Sequence, residues 1–443
     1  MVGDDLTAEA AAGIGRAYGA LLAERGIPGE VAVGRDNRPS GTMLFDALVT
    51  GLRETGTNVV DIGVVPTPLL YWSLHHLPVV GGIQITGSHN PPEFNGFKIS
   101  VGADSLHGDG IQRLRGLLDA GVFPAGTGAM RRESVLGRYV DDVAQRIGTL
   151  SRPLKVVIDC GNGVGALVAP TLFPRIGVSP TFLFAESDGT FPNHHPDPTV
   201  VENLRDLIDA VRREQADLGI GFDGDADRIG IVDRHGTIIW GDYLLILYAR
   251  DVLARTGAGQ PVIFDVKCSQ ALPDAITAAG GVPVMWKTGH SLIKEKMKAL
   301  HAPVAGEMSG HMFFTEGFFG HDDALYGAAR LLRIVADSGR GVDELLADLP
   351  RYVSTPEIRV DCGDDRKFDV VAAAHQHFRA LHEVIDVDGV RIQYGDGWGL
   401  IRASNTQPIL VVRFEARSPD RLREIRDEMA TWLEQQGVRF PRE

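Results

Sequence analysis

Apolar and polar positions alternate in blocks along nearly the whole chain. VAVGRD (31–36), VVDIGVV (59–65) and GGIQITGS (81–88) are short apolar runs bounded by turn formers, the pattern of buried strands. Between the first two, SGTMLFDALVTGLRETG (40–56) sets Leu44, Leu48 and Leu52 on one helical face. Residues 7–25 predict a further helix, with Thr7 as N-cap, Glu9 in the first turn and Gly26 just past the end. Strand–helix alternation of this kind predicts a largely parallel sheet covered by helices.

The pattern then restarts. VAVGRDNRPSG (31–41), VVIDCGNGVGA (156–166) and VIFDVKCSQAL (262–272) share one form: an apolar strand, a polar turn with a charge, then a helix. Three similar α/β units of about 100 residues each are expected. From residue 355 the texture changes. Short strands (EIRVDCG, GVRIQYG, ILVVRFEA) alternate with helices expected around 367–385 and 419–436, which predicts a smaller C-terminal α+β domain. The expected fold class is therefore α/β with four domains, at 1–134, 135–238, 239–351 and 352–443.

Composition narrows the function more than the fold. At 443 residues the chain exceeds one ordinary core. Lys+Arg 44 against Asp+Glu 58 leaves a net charge of −14, which argues against nucleic acid or an anionic membrane as the main partner. Cys160, Cys268 and Cys362 lie far apart with no CxxC, so neither a disulfide framework nor a zinc site is expected, and a reducing cytosol fits. The opening MVGDDLTAEA lacks the layout of a signal peptide, and no apolar run approaches the ~18 residues of a membrane span.

Four loops carry the candidate chemistry. In TGSHNPPEFNGFKI (86–99), at the end of a strand, Ser88 has His89 beside it and Lys98 further on. Strand ends are where ligands bind in open α/β sheets. A serine needs a base or a metal to become a nucleophile, and taken alone GSHNP also reads as an ordinary turn. In GFDGDADRIG (221–230), Asp223, Asp225 and Asp227 alternate. In extended backbone they would face one side and converge on a hard cation, with oxygen-only ligation suited to Mg²⁺. A calcium EF-hand is excluded, because Arg228 and Arg234 stand where it needs Gly and Glu. Arg228 suggests an anion beside the metal. In GEMSGHMFF (306–314), Glu307, Ser309 and His311 also alternate and suit sugar hydroxyls, or form one polar strand face. In RASNTQP (402–408), Arg402, Ser404, Asn405 and Thr406 offer the donors a phosphate needs, or a tight turn. GNGVGA (161–166) matches the spacing of a dinucleotide fingerprint, with Glu186 and Asp188 downstream. As a middle repeat sharing its domain with the acidic loop, it reads better as a tight strand-to-helix turn.

TGSHNP, DGDADR, GEMSGH and RASNTQP, in that order, closely resemble the α-D-phosphohexomutase family, over nearly the whole chain. VGRDNRPSG, FPNHHPDP (191–198), VKCS and WKTGHSLIK (286–294) resemble it too. The resemblance implies four domains around a central active-site cleft, each contributing one loop. It implies that Ser88 carries a phosphoryl group, that Asp223, Asp225, Asp227 and the Ser88 phosphate hold one Mg²⁺, and that Arg228 offsets the transferring charge. His89 and Lys98 would belong to the catalytic group, Lys98 holding phosphate or assisting proton transfer. Lys267, His290, Glu307, Ser309 and His311 would contact substrate, with Arg402, Ser404, Asn405 and Thr406 on the phosphate not being transferred. The reaction implied is hexose 1-phosphate to hexose 6-phosphate through a hexose 1,6-bisphosphate, and the partners are small sugar phosphates, with a monomer favoured. Met308 and the Asn-Thr-Gln-Pro ending resemble the bacterial phosphomannomutase/phosphoglucomutase branch. The phosphoglucosamine mutase branch more often has Gln in the first place and Ser-Gly-Thr-Glu-Pro in the second, and it stands as the alternative. Family members usually open with a segment ending in Tyr-Asp-Ile-Arg-Gly, whose arginine reaches the phosphoserine, whereas this chain opens at MVGDDLTAE. The expectation drawn from that difference is a lowered turnover, and a sugar-phosphate-binding protein with weak turnover is the second alternative.

Overall fold

The computed structural model describes residues 1–404 and 407–441. Three of its four sheets repeat one topology. The first contains β1 (Glu30–Arg35), β2 (Asn58–Val64), β3 (Val79–Ile85), β4 (Phe97–Val101), β5 (Asp104–Ser105) and β6 (Met130–Arg132), in the order β5-β4-β3-β1-β2-β6. The second contains β7 (Val156–Asp159), β8 (Thr181–Leu183), β9 (Leu218–Phe222), β10 (Ile229–Asp233) and β11 (Ile238–Ile239), in the order β11-β10-β9-β7-β8. The third contains β12 (Pro261–Asp265), β13 (Val282–Trp286), β14 (Val304–Gly306) and β15 (Met312–Phe314), in the order β13-β12-β14-β15. In each, the first strand lies between the second and third, both parallel to it, and the fourth folds back antiparallel on the third.

That fourth strand places the chemistry. The segments 86–96, 223–228 and 307–311 each join the third strand of a sheet to its antiparallel fourth. The loops that carry TGSHNP, DGDADR and GEMSGH are thus topological equivalents. Hydrophobic periodicity had not separated Phe97–Val101 from the loop before it, because the strand buries only its Ile99–Ser100 step.

The fourth sheet is entirely antiparallel, running from Val353 to Ala416, and it packs under helices Lys367–Arg379 and Pro419–Gln435. The helix expected to reach 385 stops at Arg379, since Glu383–Ile385 pairs with Arg391–Gln393 instead. Two β-branched side chains, Val384 and Ile385, favour the pleated partner over another helical turn.

The first three units share one core. A single apolar cluster runs from Ala32 to Val342. Helices Thr67–His76, Leu136–Ile147 and Ala324–Ser338 meet within it: the Trp72 and Tyr139 rings pack edge-on at 6.1 Å, and the Tyr139 hydroxyl donates to Asp323 at 2.8 Å. Asp323 in turn caps the third of these helices by accepting from the Tyr326 N–H. The fourth unit has its own core and joins the third through Arg391. Its guanidinium stacks 3.8 Å from the Trp398 ring centroid and donates to the Val266 and Cys268 carbonyls at 2.7 and 2.8 Å.

Helices Ala8–Glu24 and Gly41–Glu54 approach so closely that a Cβ on Gly51 would lie 2.0 Å from the Ala12 carbonyl oxygen. Gly51→Ala is therefore expected to force the helices apart and to lower stability by about 1–3 kcal/mol, despite alanine's better helix propensity. Thermal denaturation followed by circular dichroism checks this, and an unchanged or raised midpoint would contradict the close approach.

Candidate active site

The acidic loop is a tight turn rather than extended chain. The Ala226 N–H donates to the Asp223 carbonyl, the Asp223 N–H to the Arg228 carbonyl, and Ala226 takes a left-handed φ of 58°. Asp223, Asp225 and Asp227 thus converge, as expected, but through a turn and not along extended chain. All three side chains are fully buried, and ligand atoms from the three lie within 4.8 Å of one another.

Each carboxylate has one oxygen held by the scaffold. Asp223 Oδ1 accepts from the N–H groups of Asp227 and Arg228, both at 3.0 Å. Asp225 Oδ2 accepts from Thr67 Oγ1 at 2.5 Å, Lys98 Nζ at 2.8 Å and Thr86 Oγ1 at 3.0 Å. Asp227 Oδ2 accepts from Lys98 Nζ. What remains is one oxygen each. Asp225 Oδ1 and Asp227 Oδ1 are buried with no hydrogen-bond partner among the described residues, and Asp223 Oδ2 meets only the Ser88 hydroxyl, at 3.0 Å. Buried, unpartnered carboxylate oxygens gathered beside a hydroxyl are what a hard cation requires, so the donor set fits a metal such as Mg²⁺.

Electrostatics tell the same story. Burial and the neighbouring carboxylates push the Asp223 carboxyl well above its ordinary range, and burial followed by Asp225 raises Asp227. Burial, the largest single influence, would also raise Asp225, but Lys98 and the Thr67 hydroxyl together lower it instead. Burial opposes the charge on Lys98, yet Asp225 and Asp227 together raise its pKa well above the usual value. Lys98 is therefore a fixed cation. The Arg228 charge, and then burial, depress His89 to about 3, which leaves a neutral imidazole with Nδ1 3.2 Å from Ser88 Oγ.

The sugar-loop candidates divide. Glu307 is buried and accepts from the Gly289 N–H at 2.7 Å through Oε1 and from Ser309 Oγ at 3.0 Å through Oε2. His311 turns away from this pair. Its Nε2 accepts from Arg228 Nε at 2.9 Å, and its Nδ1 lies 3.2 Å from Asp322 and 3.5 Å from Asp227. A backbone bridge between Arg228 and His311 joins the second loop to the third. The His290 ring sits 5.8 Å from that of His311, with Nδ1 3.7 Å from Asp322, and burial and Lys294 keep it neutral.

Two further cations, Lys267 of the third domain and Arg402 of the fourth, pair with carboxylates of the fourth domain. Lys267 pairs with Glu357 at 2.6 Å. Arg402 donates through Nε to Asp388 at 3.0 Å, and Asp388 also accepts from the Thr288 N–H, the neighbour of Gly289. Ser404 Oγ accepts from the Gln407 N–H. Asn405 and Thr406 lie outside the described residues. Contacts thus run from Ser88 through the acidic loop to His311, and from Glu307 through Gly289–Thr288 to Asp388 and Arg402.

Thr67, Asp322, Glu357 and Asp388 were missed by motif reading. Thr67 opens a helix after β2 and reaches Asp225 across a gap of 158 residues, and no local pattern announces such a contact. Thr86 stood inside a motif already in view. GNGVGA forms the tight turn expected of it: a Cβ on Gly163 would lie 2.7 Å from the Gly224 carbonyl oxygen, so the turn packs under the acidic loop.

Family models for the phosphoglucomutase/phosphomannomutase α/β/α domains I, II and III match residues 1–109, 137–236 and 240–352, and the model for the C-terminal domain matches 357–431. The chain belongs to the phosphoglucomutase/phosphomannomutase family. It is 48% identical to the phosphomannomutase/phosphoglucomutase of Pseudomonas aeruginosa, over 96% of this chain and 92% of that protein. It is 45% identical to the phosphoglucomutase of Neisseria gonorrhoeae, over 98% and 95%. The crystal structure of a phosphoglucomutase/phosphomannomutase family protein from Burkholderia thailandensis superposes with a TM-score of 0.92 at 42% identity, covering 99% of this chain and 96% of that one. The expected family and the α/β fold of three similar domains and a C-terminal one stand.

The Lys267–Glu357 pair has a definite acid limit. Burial, the largest single influence, would raise Glu357, but Lys267 together with Arg413 and Arg402 outweighs it and holds the carboxyl at about 2, against an ordinary 4.5. A depressed carboxylate stabilises the fold above its unfolded pKa and loses that contribution as pH falls towards the folded value. The span from 4.5 to about 2 corresponds to at most about 3.4 kcal/mol. The gap in melting temperature between the parent and Glu357→Gln is expected to be constant near neutrality and to close progressively below pH 4.5. A gap that widens with acid would contradict this pairing.

Proposed function

We propose that this protein is a hexose-phosphate mutase that interconverts hexose 1-phosphates and hexose 6-phosphates, with mannose and glucose as the sugars. The observation that carries the reading is the half-buried Ser88 hydroxyl hydrogen-bonded to Asp223, beside two unpartnered carboxylate oxygens. The names of the Pseudomonas and Neisseria relatives support the sugar assignment, as does Met308 between Glu307 and Ser309.

In this reading Ser88 carries a phosphoryl group at rest. The sugar's O6 attacks phosphorus, the P–O bond to Ser88 Oγ breaks as the P–O6 bond forms, and the O6 proton is balanced by the one Ser88 regains. The resulting 1,6-bisphosphate turns around and returns its 1-phosphoryl group to Ser88. Asp223, Asp225 and Asp227 would hold one Mg²⁺, which supplies charge stabilisation to the transferring group. Lys98 and Arg228 flank that group as fixed cations. Lys98, which bridges Asp225 and Asp227, would hold the phosphate or assist proton transfer. Glu307 and Ser309 would hold ring hydroxyls, while Lys267, Arg402, Ser404, Asn405 and Thr406 would contact the distal phosphate. His311 would act through Arg228 rather than on the sugar, and His290 lines the same wall. The substrates are soluble sugar phosphates, and among the described residues no helix is long and apolar enough to cross a membrane. We place the enzyme in the cytosol as a monomer.

Intact-protein mass spectrometry before and after incubation with glucose 1,6-bisphosphate tests the carrier: one phosphoryl mass should appear and map to Ser88. Ser88→Ala is expected to lose at least about 10³-fold in kcat, and wild-type turnover in this variant would sink the assignment. Chelation should abolish turnover and Mg²⁺ should restore it. Asp225→Asn is expected to lower kcat by about 10²-fold or more, and a zinc requirement would contradict the oxygen ligands.

A further inference from the structure

Arg38 lies in the first loop after β1, and its side chain is completely buried. All five N–H bonds of its guanidinium are used, and four of them go to backbone carbonyls of the loop that carries Ser88. Nη2 donates to the Ser88 carbonyl at 2.8 Å and to Asn90 at 2.6 Å, and Nη1 donates to Pro91 at 2.5 Å and to Phe94 at 3.1 Å. Nε is fixed by Asp36 Oδ2 at 3.0 Å, and the same oxygen accepts the Gly87 N–H at 3.1 Å. The guanidinium carbon stands 5.2 Å from the centroid of the Phe191 ring, which belongs to the second unit. Ser88 itself holds a left-handed φ of 49°, a conformation disfavoured for a residue with a Cβ.

We infer that Arg38 is the positioning residue of the phosphoryl carrier: it gathers four carbonyls of the 88–94 segment around one planar cation and so holds Ser88 in its strained conformation, with Oγ aimed at the acidic loop. The inference rests on Ser88 as the carrier. Only a guanidinium fits the role, because it presents five donors in a fixed plane. A lysine ammonium offers three donors at one point and leaves carbonyls unmet. The Asp36 carboxylate balances the charge and joins the clamp to Gly87. Nothing in the arrangement touches the groups facing the sugar or the distal phosphate, so loss of the clamp should be felt at the reacting atoms. A displacement of the order of 1 Å there is enough to cost about 10²-fold in rate.

The experiment compares the Mg²⁺-loaded parent with Arg38→Lys and Arg38→Ala. Both variants are expected to lose roughly 10- to 100-fold in kcat and in the rate at which glucose 1,6-bisphosphate phosphorylates Ser88, while KM for glucose 1-phosphate shifts less than about threefold. Millimolar guanidinium should restore part of the rate to Arg38→Ala and none to Arg38→Lys. To separate positioning from general damage, glucose 6-phosphate binding is measured by calorimetry with Ser88→Ala added to each protein, and binding should match that of Ser88→Ala alone. A phosphorylation rate within about threefold of the parent in both variants overturns the role of Arg38 alone. Sugar-phosphate affinity falling in step with kcat, or a variant that does not fold and is not recovered by guanidinium, reduces Arg38 to a structural residue and also overturns it. Absence of phosphate at Ser88 in the parent overturns the carrier assignment, and this inference with it.

Discussion

Three carboxylates are buried side by side, and most of what surrounds them holds them there. With ligand atoms within 4.8 Å, each ionised pair repels by at least about 3.5 kcal/mol at an effective dielectric near 20. Left alone, such a turn would take up protons or spring open. Lys98 answers by spanning Asp225 and Asp227, backbone N–H groups answer at Asp223, and two threonines from the first unit saturate Asp225 Oδ2. The compensation leaves one oxygen of Asp225 and one of Asp227 unpartnered among the described residues, beside the Asp223 oxygen that meets Ser88, a donor set that fits a cation.

That compensation depends on partners from different units, and the repeated topology brings them together. Because each sheet turns back antiparallel after its third strand, each unit presents a loop at the equivalent place. Lys98 comes from the strand after the first of these loops, Arg228 from the second and His311 from the third. The shared core makes the meeting reproducible: Trp72, Tyr139 and Asp323 tie helices of three units into one body behind the loops.

Much of this was legible in the chain. The strand–helix rhythm and its two restarts mark three similar units, and the order of four motifs marks the family. Other features escaped for identifiable reasons. Period-two reasoning placed Asp223, Asp225 and Asp227 together, though a left-handed Ala226 rather than extended chain brings them there. The same reasoning grouped His311 with Glu307, but the turn after Ser309 sends its ring to Arg228 and Asp322. Thr67, Asp322 and Asp388 act across long stretches of sequence, where a contact depends on the assembled fold and leaves no local trace. Arg38 stood in a quoted motif, but its five donors have meaning only once the 88–94 segment has folded around them.

The pairing of Lys267 with Glu357 and of Arg402 with Asp388 gives the cleft a property of its own. Both cations already hold an anion, so a ligand bound there as proposed would not settle into bare positive charge but would exchange with resident carboxylates. The contest is one of charge density and valence. A singly charged carboxylate ligand offers nothing that Glu357 or Asp388 does not, whereas a phosphate dianion brings more charge and more acceptor oxygens to the same donors. On the proposed reading, in which Lys267 and Arg402 meet the substrate, the site would sort ligands by valence before the sugar ring is read, and Glu357 and Asp388 would be released in the same event.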